Sequence, residues 1–130
     1  MLRHAEWTVL ISDDVEVWLL HCHPEKGERA RIIARFRHTF DLLRAFGPAI
    51  GKPHVDRIEG EENLWEVRVG HRTGAYRAFF GLATRGSVIL VVHGDVKKRD
   101  RFTPAVYRLA AQRVAEAVER YAKEGSERDA

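Results

Sequence analysis

Three short segments rich in strand-forming residues, joined by two glycine-bearing turns, fill the centre of the chain and restrict what it can fold into. Leu64 to Val69 alternates, with Trp65, Val67 and Val69 on one side and Glu66 and Arg68 on the other, the period of a half-buried strand. After Gly70-His71-Arg72-Thr73-Gly74 comes Tyr76 to Ala83, and after Arg85-Gly86 comes Ser87 to His93. Glycine accepts the positive φ that tight hairpin turns require, so these spacings predict antiparallel hairpins. With Val55 to Glu59 as a further short strand before Gly60-Glu61-Glu62-Asn63, the centre reads as a meander of three or four strands.

Such a sheet has to bury its apolar side, and the flanking sequence supplies helices for that purpose. Trp7 to Ile11 reads as a first strand. Ser12 or Asp13 then caps a short helix with Val15, Trp18 and Leu19 on one face, ended by His23-Pro24-Glu25-Lys26-Gly27. From Glu28, Ile32, Ile33, Phe36, Phe40, Leu43 and Phe46 recur at helical spacing, opposite Arg31, Arg35, His38, Asp41 and Arg44. Gly47-Pro48 stops this helix, and Ala49 to His54 connects it to the strands. Thr103-Pro104 opens a last helix whose stripe is Val106, Leu109, Ala110, Val114, Ala117, Val118 and Tyr121. The expected fold is α+β: a small antiparallel sheet covered on one face by the N-terminal helices, with a C-terminal helix and the other face open to a ligand. Residues 1–122 form one domain in this reading, and 123–130 are a polar, fraying tail.

Composition limits the rest. A chain of 130 residues supports one core, since folding at this size removes roughly 65–70% of the unfolded surface from water. Lys and Arg total 22 against 19 Asp and Glu, a net charge of +3 that is too small to establish a nucleic-acid partner. The single cysteine, Cys22, excludes an internal disulfide and fits a reducing compartment. The longest strongly apolar run, Val88 to Val92, is far below the ~20 residues of a membrane-spanning helix. The first residues do not read as a secretory signal, so the expectation is a soluble cytoplasmic protein with no membrane partner.

Pairing Leu64–Val69 with Tyr76–Ala83 through a four-residue turn sets Arg68 directly opposite Arg77. Facing like charges destabilise a ladder unless an anion, or a carboxylate such as Glu66, lies between them. The plain structural alternative is a Glu66–Arg77 cross-strand ion pair with Arg68 solvated. After the last strand, Asp95-Val96-Lys97-Lys98-Arg99-Asp100-Arg101 forms a basic segment that whole-chain charge conceals; it is either a solvated loop or a phosphate contact. His93 is the histidine best placed to carry a proton, with a strand-end hydrogen bond as its structural alternative. Phe79, on the side of Arg77, is the one aromatic placed to stack on a base, with packing as its other role.

Metal and nucleophilic chemistry find less support. His21-Cys22-His23 lacks further spaced donors for a four-ligand zinc site, so a core-packed Cys22 flanked by surface histidines is expected. Nothing orients a Cys–His nucleophilic pair, there is no phosphate-binding glycine loop, and no cofactor is implied. His54 beside Pro53 reads as a loop residue.

The ordered set Leu64-Trp65-Glu66-Val67-Arg68-Val69, Tyr76-Arg77-Ala78-Phe79-Phe80, Val91-Val92-His93-Gly94-Asp95-Val96-Lys97-Lys98 and Thr103-Pro104, with Phe46-Gly47-Pro48 and Gly51-Lys52-Pro53-His54-Val55 upstream, resembles the RelE/HigB superfamily of bacterial type II toxins, closest to its phage-derived, HigB-like branch. The resemblance spans Trp7 to about Tyr121. It implies a ribosome-dependent mRNA endoribonuclease that inhibits translation, works without a metal by attack of the ribose 2′-hydroxyl on the adjacent phosphate, and is held inactive by a cognate antitoxin. That antitoxin is expected to carry a helix-turn-helix domain, so operator DNA would be reached only through it. Arg77 matches the family's strand arginine, Arg68 the basic position on the preceding strand, and Lys97 and Lys98 the basic pair after the last strand. Arg68 and Arg77 are assigned to phosphate stabilisation, Lys97 or Lys98 to phosphate binding or proton transfer, and Arg99 and Arg101 to RNA binding. His93 and Tyr107 are candidates for proton transfer. Glu66 stands where some relatives carry a second lysine, and the tyrosine that some members use has no certain counterpart. The alternatives are a non-enzymatic ParE-like toxin that poisons a topoisomerase, and an RNA-binding module without catalysis.

Overall fold

The computed structural model describes residues 6–83, 86–97 and 102–129, with side chains given through residue 124. Five strands, β1 (Thr8–Ile11), β2 (Val55–Arg57), β3 (Trp65–His71), β4 (Gly74–Leu82) and β5 (Val88–Lys97), form one sheet in the order β1-β5-β4-β3-β2. Strands β2 to β5 pair antiparallel, as the meander predicts. β1 lies parallel to β5, so the sheet is mixed. Parallel pairing needs a long return connection, and the two N-terminal helices and the meander together provide it.

Helices α1 (Asp13–Leu20) and α2 (Lys26–Phe46) cover one face. Ser12 caps α1 by accepting from the Val15 amide at 3.2 Å. The buried stripe of α2 is Ile32, Phe36, Thr39, Phe40 and Leu43, with Ile33 partly buried and Phe46 exposed at its end. Phe36 meets Trp18 edge to face at 5.7 Å, locking α1 and α2 together above Tyr76, Ala78 and Phe80. Burying each such ring contributes about 1.5–3 kcal/mol. Gly47, at φ 71°, ends α2 and enters a short 3-10 turn, Gly47–Ile50; a Cβ there would stand 2.4 Å from the Trp7 indole.

The second face is not open along its length. Helix α3 (Pro104–Asp129) lies across β4 and β5, sealing a second core of Leu64, Phe79, Leu90, Val92, Phe102, Ala110 and Val114. The helix runs to Asp129, through the stretch expected to be a polar tail. Its close approach depends on Gly81, where a Cβ would stand 2.2 Å from Val114 and 2.8 Å from the Asn63 carbonyl oxygen.

The β3–β4 turn is tied to the start of α2. His71 Nε2 lies 2.6 Å from Glu28 Oε2, and its Nδ1 lies 2.7 Å from the Thr73 hydroxyl, itself 3.0 Å from the Tyr76 hydroxyl. His23 is buried against the His71 ring, with centroids 5.5 Å apart, and its Nδ1 accepts from the Glu25 amide. It is therefore not the surface residue expected; Cys22 packs partly buried against the core, as expected. The hydrogen bond to His71 is the main reason the Glu28 carboxyl lies below its usual range.

Two outcomes follow from this packing. Gly81→Ala wedges a methyl group beneath α3 and is expected to lower stability by about 1–3 kcal/mol in urea unfolding. Gly70→Ala, where a Cβ meets nothing within 4 Å, should change it by less than about 0.5 kcal/mol. A carboxyl with a lowered folded pKa contributes stability above its unfolded pKa and loses it as pH falls through the folded value. The urea midpoints of wild type and Glu28→Gln should therefore converge as pH drops below the ordinary carboxylate range.

Candidate functional site

The β3–β4 hairpin turns through Arg72 and Thr73, and its register places Arg68 opposite Arg77 and Glu66 opposite Phe79. The antiparallel β4–β5 register then sets Asp95 opposite Arg77 and His93 opposite Phe79. Because alternate residues share a face, Glu66, Arg68, Arg77, Phe79, His93, Asp95 and Lys97 all stand on the side that α3 partly covers. β5 continues to Lys97, so Asp95 and Lys97 belong to a strand and not to the loop expected after it. Lys98, Arg99 and Arg101 lie outside the described residues.

Glu66 occupies the space between the two arginines. Its Oε2 is 3.7 Å from Arg77 Nε and its Oε1 is 3.7 Å from Arg68 Nε. Arg68 also faces Asp56 at 3.8 Å, so it is paired on both sides and only a third exposed. The arrangement departs from the simple Glu66–Arg77 pair with a solvated Arg68, because one carboxylate bridges both cations. Burial pushes the Glu66 carboxyl up, opposed first by Arg77 and then by Arg68 and Lys97. Burial likewise pushes Arg77 down, opposed by Glu66 and by the nearby Tyr107, while Arg68 adds to it. An arginine stays charged through such a shift, so Arg77 is a buried permanent cation. One of its amino groups donates to its neighbour's carbonyl, Tyr76 O, at 3.0 Å, and its buried Nε has no hydrogen-bond partner among the described residues.

Aromatic rings wall the cations on the α3 side. Phe79 is fully buried and meets Phe102 at 5.6 Å and Tyr107 at 5.9 Å, so its role is packing rather than base stacking. Lys97 Nζ sits 5.7 Å from the centre of the Phe102 ring. Tyr107, in the first turns of α3, is thereby brought near Arg77, and a groove of about 860 Å³ opens between it, Phe102, Glu66 and the loop after β2. His93 stacks on Phe79 at 6.0 Å, with Arg113 from α3 2.8 Å from its Nδ1 and Asp95 3.5 Å from its Nε2. Burial, then Arg113, hold His93 below its usual range, with Asp95 opposing. Asp56, Asp95 and Arg113 carry no role in the sequence reading.

The folded chain therefore gathers four of the sequence-chosen residues, Arg68, Arg77, Lys97 and Tyr107, around Glu66, with His93 beside them. Among the described residues no three or more His, Cys, Asp or Glu side chains are grouped to hold a metal ion, and no helix is long and apolar enough to cross a membrane. Against known proteins, the family model of the phage-derived Gp49-like proteins (DUF891) matches residues 24–115, from the end of the α1–α2 connection into the middle of α3. The chain belongs to this family, which is part of the RelE/HigB-like toxin superfamily and whose members are generally the toxins of toxin–antitoxin systems. No curated protein matches the sequence.

Glu66→Gln keeps the shape of the site but removes the charge that separates the arginines. Removing one partner of a buried ion pair costs up to about 3–5 kcal/mol, so the urea midpoint should fall, and added inorganic phosphate should restore it more in the variant than in wild type. Equal responses to phosphate would show that the arginines do not form an anion site.

Proposed function

We propose that this protein is the toxin of a toxin–antitoxin pair and acts as a ribosome-dependent mRNA endoribonuclease that needs no metal. The observation that carries the reading is the opposed pair Arg68 and Arg77, on one sheet face with Lys97, one of them buried with a donor nitrogen that has no hydrogen-bond partner among the described residues. In-line attack by a ribose 2′-oxygen forms an O2′–P bond, builds negative charge on the phosphoryl oxygens and breaks the P–O5′ bond. Fixed cations in a partly dehydrated site stabilise that charge without reorganising. Arg68 and Arg77 take this role, with Lys97 and Lys98 binding the phosphate and Arg99 and Arg101 contacting the backbone beyond it. Tyr107 faces the same cluster and supplies a proton to the leaving 5′-oxygen, while His93 and its neighbours serve the 2′ side. The products are a 2′,3′-cyclic phosphate and a 5′-hydroxyl.

The partners that fit are the ribosome with its message and a cognate antitoxin bearing a helix-turn-helix domain, in the cytoplasm. The HigB-like branch is the closest counterpart within the superfamily, on the strength of the residue order from Leu64 to Pro104.

Brief expression followed by mapping of transcript ends, with and without translation, tests the reading. Cuts confined to translated messages are expected. Arg68→Ala or Lys97→Ala should lower cleavage about 10²–10³-fold, the usual cost of removing one group that stabilises a developing oxyanion, while antitoxin binding is retained. Growth arrest with intact transcripts and damaged DNA would overturn it in favour of a topoisomerase poison.

A further inference from the structure

β5 carries His93 and Asp95 beside Arg77, and α3 brings Arg113 down onto His93. A guanidinium only donates, so at 2.8 Å from Arg113 Nη1 the His93 Nδ1 is the acceptor. The proton of the neutral ring therefore sits on Nε2, which is buried, has no hydrogen-bond partner among the described residues, and faces Asp95 Oδ2 at 3.5 Å. Phe79, stacked on the ring, fixes its plane. The charged groups facing the imidazole are Arg113 from α3, Asp95 from β5 itself and Asp14 from α1; burial and Arg113 together favour the neutral form over the two carboxylates. A second proton on Nδ1 would point one N–H at another. While Arg113 is in place, His93 has no nitrogen free to accept a proton.

Asp95 has the opposite character. Its Oδ1 accepts from the Val96 amide at 2.8 Å, its Oδ2 is turned toward His93, and its side chain is 36% exposed. It stands directly across the ladder from Arg77, where a scissile phosphate would bind. We infer that Arg113 and His93 are positioning residues that aim the Asp95 carboxylate, and that Asp95 is the catalytic base that removes the ribose 2′ proton. The assignment of the base rests on the ribonuclease reading above. Asp95 takes the 2′ proton as O2′ bonds to phosphorus, the P–O5′ bond breaks, and the 5′-oxygen receives its proton from the acid on the Tyr107 side. Once the products leave, solvent takes the proton from Asp95.

The test has a spectroscopic arm and a kinetic arm. Long-range ¹⁵N–¹H correlation on the purified chain should show His93 as the Nε2–H tautomer, without titration near the ordinary histidine value of about 6.5. Arg113→Gln should mix the tautomers and add a histidine-like limb to the pH profile of message cleavage, and Arg113→Lys, which still donates, should restore the single tautomer. Asp95→Asn should lower cleavage about 10²–10⁴-fold, the range for loss of a general base, with ribosome binding kept. An Nδ1–H tautomer in wild type, or full-rate cleavage by Asp95→Asn, would overturn the inference. A wild-type protein that leaves translated messages whole would instead overturn the ribonuclease reading, and the role of Asp95 as base with it, while the imidazole spectrum still decides whether the relay exists.

Discussion

Two arginines face each other across a hairpin whose interior side chains are otherwise closely packed, and one carboxylate, Glu66, holds them together. The 3.7 Å separations on both sides are those of ion pairs too long to be hydrogen bonds. The bridge offsets the repulsion that would otherwise splay β3 from β4, and it leaves donor capacity on Arg77 that no described group takes up. Replacing the whole cluster with well-packed apolar residues would suit the sheet better, since a buried ionic cluster is a poor source of stability. On the proposed function, the cluster is a site kept ready for an anion, with Glu66 as the internal stand-in that a phosphate would compete with.

The sheet divides its labour between faces. Under α1 and α2 the side chains of Val67, Val69, Tyr76, Ala78 and Phe80 are buried in an apolar core. Under α3 the same strands change from apolar to polar and charged along their length, from Leu90, Val92 and Phe79 to His93, Asp95 and Lys97. α3 serves both halves: Ala110 and Val114 pack, whereas Tyr107 and Arg113 reach the polar end. Gly81 matters to this arrangement because it lets the helix lie close enough for both.

Much of this layout is legible in the sequence. The opposition of Arg68 and Arg77 is readable because a short glycine-closed turn fixes register, and register fixes which residues share a face. The caps at Ser12 and Gly47 are local signals as well. The end of β5 is not legible: His93-Gly94-Asp95-Val96-Lys97 lacks apolar alternation and contains glycine, and it is a strand because β4 offers its backbone partners. The parallel place of β1 depends on contacts distant in sequence, and so does the docking of α3, whose apolar stripe is plain but whose destination is not. Arg113 is hidden for the same reason, since its significance lies entirely in where the helix lands. Buried Glu28 and His23 look like surface residues until the β3–β4 turn brings His71 to them.

The central claim is that this cation cluster cuts RNA by 2′-hydroxyl attack on the ribosome. The most direct measurement is the chemistry of the product ends after purified protein meets ribosomes programmed with a short message. Fragments carrying 2′,3′-cyclic phosphate and 5′-hydroxyl ends, formed only from ribosome-bound message, are the predicted result. Uncut message, or cleavage that leaves 5′-phosphate ends, would contradict it.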